Sequence, residues 1–254
     1  MKSLLYASVL LFPLLFFGCV ISEHGLTWGS QDVIESGNRV SETRPLQAVS
    51  AVRFAMAGTL LIRFGDTPEI RLEADESMLP LIETTIRDGE LIISMASGSW
   101  IRTKEKMRGT LTVPALEALR TSSSGDITVA AWRGDRLAVA SSSSGDVELE
   151  SIDATSIDLR SSSSGDIRIG RVSAKQLRAN LSSSGDISIS DGATGTQSVR
   201  ISSSGDYDAR GMRSGNADVR CSSSGDASIW VTHRLRASKS SSGDIRVKGN
   251  PVVE

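Results

Sequence analysis

The sequence predicts an all-β fold, a single-stranded parallel β-helix built from 20-residue rungs with an irregular β cap on its N-terminal side. A Ser-Ser-Ser-Gly-Asp motif recurs with its glycine at Gly125, Gly145, Gly165, Gly185, Gly205, Gly225 and Gly243, a spacing that stays constant until the last step, where it shortens by two. Self-similarity this strict marks a repeat architecture. Between the motifs, apolar and polar residues alternate with the two-residue period of strands. With 4% aromatic residues, 39% hydrophobic residues and 23 glycines among 254, the composition suits many short strands around a thin aliphatic core.

Alignment on the glycine shows the inward positions. Two residues after it stand Ile127, Val147, Ile167, Ile187, Tyr207, Ala227 and Ile245, and six residues before it stand Leu119, Val139, Leu159, Ala179, Val199, Val219 and Ala237. Each rung reads as two short strands bent at the motif, with a variable connector such as 150–156 or 191–197 returning the chain. All copies share polarity and offset, so like stacks on like in parallel at about 4.8 Å, which excludes an antiparallel meander. Enclosing about four aliphatic side chains per rung, at roughly 1.5–3 kcal/mol each, stabilises neighbours where a lone rung would not fold. Glycine is required either for a positive φ or because stacked main chains leave no room for a Cβ, and Ser and Asp hydrogen-bond at bends.

The remaining elements follow in chain order. Residues 1–19 read as an export signal, with Lys2 before the apolar run Leu4 to Phe17, and Gly18-Cys19 resembles a bacterial lipoprotein processing site. Lipidation at Cys19, ordinary cleavage and a retained anchor all export the chain. Residues 20–45 are polar and read as a flexible tether. The folded domain is placed at 46–253, with irregular N-terminal rungs over 46–120 and the repeats over 121–248. Within the first part, Asp75 caps a short helical turn that turns Met78, Leu79 and Ile82 inward. Arg87-Asp88-Gly89-Glu90 joins two strands as a hairpin, and 96–108 is an exposed loop. This half covers the open end of the solenoid.

Gly65-Asp66, Glu73-Ala74-Asp75-Glu76, Arg87-Asp88-Gly89-Glu90-Leu91, Thr112-Val113-Pro114-Ala115-Leu116 and the serial Ser-Gly-Asp turns, in this order, resemble the bacterial head GIN domain family of autotransporter adhesins. The resemblance runs from about Leu46 to Val253. It implies a right-handed, pectin-lyase-like parallel β-helix, often exported or a lipoprotein, with a role in cell adhesion. Where turns of the family often read Gly-Ser-Gly, this chain has serine first, as at Ser123 and Ser143.

Several candidate sites have a structural reading beside the functional one. The carboxylate ladder Asp126, Asp146, Asp166, Asp186, Asp206, Asp226 and Asp244 is a candidate for cation contact, but capping of each turn by its own Asp explains it, and the calcium-binding repeat pattern is absent. Carboxylates one rung apart suit glycoside hydrolysis, yet seven equivalent copies supply no unequal acid and base. His24 falls in the tether and His233 in a connector, both solvated, and Cys221 fills the slot of Leu181 and Ile201 as a small hydrophobe. The serine columns would present hydroxyls in a flat array. Trp132, which opens a connector, is a candidate ligand contact; Tyr207 and Trp230 are weaker ones, and Trp230 also suits the core. No catalytic residue, metal or cofactor is assigned. The net charge of −2 and the lack of a basic run argue against nucleic acid. The expected function is non-enzymatic: a cell-envelope protein, lipid-anchored at a bacterial outer membrane, that binds a polysaccharide or protein ligand. A purely structural or regulatory envelope domain is the alternative, and a polysaccharide-active enzyme ranks third.

Overall fold

A computed structural model describes residues 31–34, 36–102 and 106–254. The signal, Cys19 and His24 lie outside the described residues. In chain order the strands are β1 (Gln31–Ile34), β2 (Arg39–Pro45), β3 (Ala51–Ala55), β4 (Gly58–Phe64), β5 (Glu69–Asp75), β6 (Ile82–Arg87), β7 (Glu90–Met95), β8 (Ser99–Arg102), β9 (Met107–Val113), β10 (Ala118–Thr121), β11 (Gly125–Ser141), β12 (Val147–Ser161), β13 (Ile167–Leu181), β14 (Ile187–Ile201), β15 (Tyr207–Cys221), β16 (Ala227–Lys239), β17 (Ile245–Lys248) and β18 (Val252–Val253). They form a β-solenoid of about seven turns. A 3-10 turn, Leu79–Leu81, is the one helical element among the described residues.

From β10 to β17 the chain climbs one coil at a time, each strand parallel to its copy in the preceding repeat: Ile127 pairs with Val147, Val147 with Ile167, and Ile167 with Ile187. The connectors do more than return the chain. Each is part of one continuous strand, 15 residues long in each of β12, β13, β14 and β15. Between β11 and β14, pairing lapses only at 130/150/170/190 and 135/155/175/195, so a coil is three straight runs separated by bends. Connector residues therefore enter the core. Ile152 and Val172 stack in one inward column, and Leu137, Ile157 and Leu177 in another, all buried. The shortened final interval is absorbed by register shifts between Ala209 and Arg213 and between Ser214 and Asn216.

The N-terminal part supplies further coils, stacked out of chain order. Strand β3 pairs in parallel with β10 and β7, while β4 pairs in parallel with β11 and β9, so the β3–β4 coil lies between two segments that follow it in sequence. Antiparallel strands then close the end: β5 on β9, β2 on β5, and β6 on β7. Reversed strands interrupt the parallel stacking that would otherwise invite another chain. The expected hairpin is present, with Asp88 and Gly89 both left-handed at φ 50° and 76°.

Two expectations for this half need correction. The stretch expected as tether includes β2, whose Arg44 guanidinium donates to the Ile82 carbonyl at 2.7 Å and to Thr84 Oγ1 at 3.2 Å. The β5 edge needs covering, and that long-range demand outweighs the polar local composition of 39–45. The stretch 96–108, expected as an exposed loop, contains β8, which pairs in parallel with β1, and ends in β9, where Met107 is fully buried. The 3-10 turn does turn Met78, Leu79 and Ile82 inward. Asp75, by contrast, accepts the Ser77 N–H at 2.9 Å and the Gly37 N–H at 2.8 Å, so it ties the start of β2 to the end of β5 instead of capping a helix.

The seven motif glycines stand in one column. A Cβ on Gly145 would lie 2.1 Å from the carbonyl oxygen of Gly125, and on Gly165 it would lie 2.2 Å from that of Gly145; the figures for Gly185, Gly205, Gly225 and Gly243 are 2.2–2.3 Å. None of the seven has a positive φ, so close approach of main chains, and not backbone freedom, is what demands glycine here. For the same reason Ser123 and Ser143 fit the turn without strain, because Asp88 is the only non-glycine with positive φ among the described residues. Gly165→Ala is expected to destabilise the solenoid by about 1–3 kcal/mol, the usual cost of overpacking, whereas Ser164→Ala at the neighbouring exposed position should stay within about 0.5 kcal/mol. Urea denaturation followed by circular dichroism reads the difference, and equal midpoints for the two variants would refute the close-approach account.

Candidate functional site

The Ser-Ser-Ser-Gly-Asp corner is a second hydrogen-bonded ladder. The backbone N–H of Gly165 donates to the Ser143 carbonyl at 2.8 Å, and that of Gly185 to the Ser163 carbonyl at 2.8 Å. In the first three coils Thr121, Ser141 and Ser161 are buried and donate their hydroxyls to the carbonyls of Gly125, Gly145 and Gly165 at 2.8, 3.0 and 3.2 Å. From the fourth coil the same slot holds Leu181, Ile201 and Cys221, all buried. Burial pushes the Cys221 thiol up, with Asp226 adding to the effect and Lys239 opposing it.

Each Asp serves the next coil and not its own turn, which corrects the expected cap. Asp126 Oδ1 accepts the N–H of Asp146 at 3.0 Å, Asp146 that of Asp166 at 2.9 Å, Asp166 that of Asp186 at 2.8 Å, and Asp226 that of Asp244 at 2.8 Å; Asp186 and Asp206 continue the series. Cations relieve the stacked carboxylates: Arg168 bridges Asp146 and Asp166, Arg246 reaches Asp226 at 2.8 Å, and Lys239 reaches Asp244 at 3.0 Å. Burial works against the charge on Asp146, but the Asp166 N–H and the Arg168 guanidinium outweigh it and hold the carboxyl below its ordinary range. The Asp244 N–H does the same for Asp226, with Arg246 assisting.

This is poor ground for acid–base chemistry. Glu42, Asp75, Asp146, Asp208 and Asp226, the carboxyls displaced from their ordinary values, are all displaced downward. A glycosidase of the two-carboxylate type needs one carboxyl raised so that it can donate a proton. Among the described residues no group of three or more His, Cys, Asp or Glu is placed to hold a metal ion.

The aromatic candidates are mostly core. Trp132, expected as a ligand contact, is 4% exposed, and its indole N–H donates to the Leu116 carbonyl at 2.9 Å. It occupies the inward column of Ile152 and Val172, the one buried position in a connector run whose residues 130, 131 and 133–136 are exposed. Tyr207 is 1% exposed and donates to Gln197 Oε1 at 3.1 Å; Gln197 Nε2 in turn donates to Ser214 Oγ at 2.7 Å, which donates to the Trp230 carbonyl at 2.9 Å. Burial pushes the Tyr207 hydroxyl up, so it stays a neutral donor in this chain. Trp230 is half-buried beneath the Lys248 ammonium, 3.8 Å from the ring centre. His233 is exposed.

The surface feature that sequence reading missed is the side formed by β10 and the closing runs of β11–β16. The register aligns Arg120, Ala140, Arg160, Asn180, Arg200 and Arg220 in one outward column. A neighbouring column carries Arg178 and Arg236, and a third carries Arg136 and Arg234. Two shallow depressions lie along this side. One, of about 430 Å³, is lined by Gln176, Arg178, Thr196, Asn216, Asp218 and Arg236 among others, and one of about 270 Å³ by Arg120, Arg136, Ala140, Asp158, Arg160 and Arg178 among others; Arg178 belongs to both. The signal was available in the aligned repeats as a recurrent outward arginine five or seven residues before the glycine.

The carboxylate ladder gives a pH-dependent prediction. A carboxyl lowered in the folded state stabilises it fully above the unfolded value, about 3.9, and loses that contribution as pH falls through the folded value. Asp146→Ala is expected to cost about 1 kcal/mol at neutral pH, and Asp146→Asn less, because the amide oxygen still accepts the Asp166 N–H. Urea titrations at pH 7 and pH 3 measure this. The gap between wild type and Asp146→Ala should shrink at pH 3, and a gap unchanged by pH would contradict the role given to the charge.

Comparison with known proteins fits this architecture. The structure of a "putative adhesin" from Parabacteroides merdae superposes with a TM-score of 0.78 at 21% identity, covering 88% of this chain and 94% of that one. From Parabacteroides distasonis, a "putative lipid binding protein" matches with a TM-score of 0.72 at 18% identity, covering 88% and 100%, and a "putative adhesin" with 0.67 at 19%, covering 88% and 99%. At these identities the likeness is one of fold. No curated protein matches the chain. The family model described as "Putative auto-transporter adhesin, head GIN domain" matches residues 50–170 and again 150–251, from β3 through the last coil, and the chain belongs to that family.

Proposed function

We propose that the protein is a non-enzymatic, exported binding module of the cell envelope that holds a surface ligand against the flat side of its solenoid. The observation that carries this reading is the arginine-bordered side, where two polar depressions adjoin at Arg178 and extend over successive coils. Such a surface gives many weak contacts at regular intervals and no convergent reaction centre. Membership of a family described as adhesins agrees with it. The solenoid is a stiff mount, because each coil is held to the next by a continuous main-chain ladder. In this reading Cys19 is the lipid-bearing residue, the stretch from Val20 leads from a bacterial outer membrane to the folded coils, and no helix of the described residues is long and apolar enough to cross a membrane.

Two experiments test the two halves of the reading. The full chain, purified in detergent and captured on a sensor surface, is expected to bind saturably to a glycan panel or to envelope fractions; no binding to any of them would overturn the adhesion role. Expressed in a Gram-negative host with an alkyne palmitate analogue, the chain should become labelled in a globomycin-sensitive way, and Cys19→Ser should abolish the label. Undiminished labelling of Cys19→Ser would remove the lipid anchor from the proposal.

A further inference from the structure

We propose that the arginine side binds a linear polysaccharide carrying carboxylates, that is, a polyuronate. This rests on the surface-binding reading and names the ligand class.

The argument begins with charge. The whole chain carries −2, yet on this side arginines outnumber carboxylates. The acids that are present are already engaged: Glu90 with Arg120 at 2.5 Å, Asp158 with Arg160 at 3.1 Å, Asp218 with Arg220 at 3.3 Å, and Glu254 with Arg234 and Arg236 at 2.8 and 3.2 Å. Arg136, Arg178 and Arg200 are exposed and have no carboxylate within ion-pair distance among the described residues. Three guanidinium groups on successive parts of one side thus lack an anion, and guanidinium is the cation whose planar fork matches a carboxylate.

Spacing comes next. Arg120, Arg160 and Arg200 stand two coils apart in one in-register column, which puts their bases about 10 Å from one another at the normal separation of strands. Arg120 and Arg160 share their guanidinium groups with Glu90 and Asp158, and Arg200 is unpaired among the described residues. In an extended polyuronate successive sugars turn their carboxylates to opposite sides, so those facing one way recur on every second sugar at an interval of that order, and a rigid column does not have to reorganise to meet them. Between the arginines lie Gln176, Thr196, Ser198 and Asn216, amides and hydroxyls that can exchange hydrogen bonds with sugar hydroxyls, while Ala138 and Ala140 keep the floor low. Nucleic acid is the other polyanion of regular charge. It is disfavoured because neither depression has an aromatic side chain in its lining on which a base could stack.

The test uses the full chain in detergent at low ionic strength, with polygalacturonate, neutral dextran and duplex DNA as probes. Wild type is expected to bind polygalacturonate at least about tenfold more tightly than dextran or DNA, with affinity falling as salt rises. The triple variant Arg136→Gln, Arg178→Gln, Arg200→Gln should lose about tenfold or more in affinity for polygalacturonate. A second triple, Arg133→Gln, Arg171→Gln, Arg210→Gln, removes the same charge from the other sides and should stay within about twofold of wild type. All six positions are exposed, and thermal denaturation of both triples confirms that they fold. Equal losses in the two triples would show attraction by net charge alone and overturn the proposal. Dextran bound as well as polygalacturonate would also overturn it while leaving the envelope-binding reading intact, as would binding to envelope fractions with none to polygalacturonate. DNA bound as tightly as polygalacturonate would replace it with a nucleic-acid site.

Discussion

The clearance between one coil's glycine and the carbonyl oxygen of the glycine beneath it governs the rest of this molecule. With room for a hydrogen there and none for a Cβ, the motif corner can stack only if every coil keeps the same path, and the same path puts every other residue in a column with its copies. Once columns exist, interactions run along the axis. The Asp carboxylate supports the next coil's N–H, the serine hydroxyls reach carbonyls of the coil below at 3.1 Å for Ser142 and 3.3 Å for Ser202 and Ser222, and the aliphatic columns exclude water. Stability is therefore shared between neighbours, and a defect in one coil is felt by two.

The same regularity decides what the surface can do. A column repeats one chemical group at one spacing, which suits a ligand that is itself a repeat and suits poorly a reaction that needs unlike groups converging on one atom. The two charged features of this solenoid follow from that logic. At the motif edge, carboxylates are consumed structurally by N–H groups and by Arg168 and Arg246, which hold Asp146 and Asp226 below their ordinary range, and the ladder has little left to offer an outside partner. On the arginine side the backbone is satisfied by its own ladder, most of the arginines are held by Glu90, Asp158, Asp218 and Glu254, and Arg136, Arg178 and Arg200 have no carboxylate within ion-pair distance among the described residues, which leaves these three guanidinium groups open to an outside anion.

The repeated half was largely legible because it obeys local rules: an evenly recurring glycine and an apolar–polar alternation fix coil length, polarity and the inward columns at Ile127 and Val139. What escaped was contributed by partners distant in sequence. The connectors read as variable, yet Trp132, Ile152, Val172 and Met212 share the seventh position after their glycines and are buried there. Alignment would have revealed that column, but a tryptophan beginning a polar stretch looked exposed when read alone. The polar strand β2 is set by β5 and the buried Met107 of β9 by β4, and nothing near them in the chain announces those contacts. The insertion of the β3–β4 coil between later segments is likewise invisible to any local pattern.

The slot before the motif serines shows how the chain varies without breaking the column. Its first occupants, Thr121, Ser141 and Ser161, satisfy the carbonyl of their own motif glycine with a buried hydroxyl, whereas Leu181, Ile201 and Cys221 fill the same space with apolar atoms. Either solution leaves the main chain where it was, because that carbonyl points into a corner already shaped by the glycine above it. Inward positions can thus trade hydrogen bonds for hydrophobic contact, and the glycine cannot be traded at all. Variation that would change what the protein recognises is accordingly confined to the outward columns, and these are where the arginines stand.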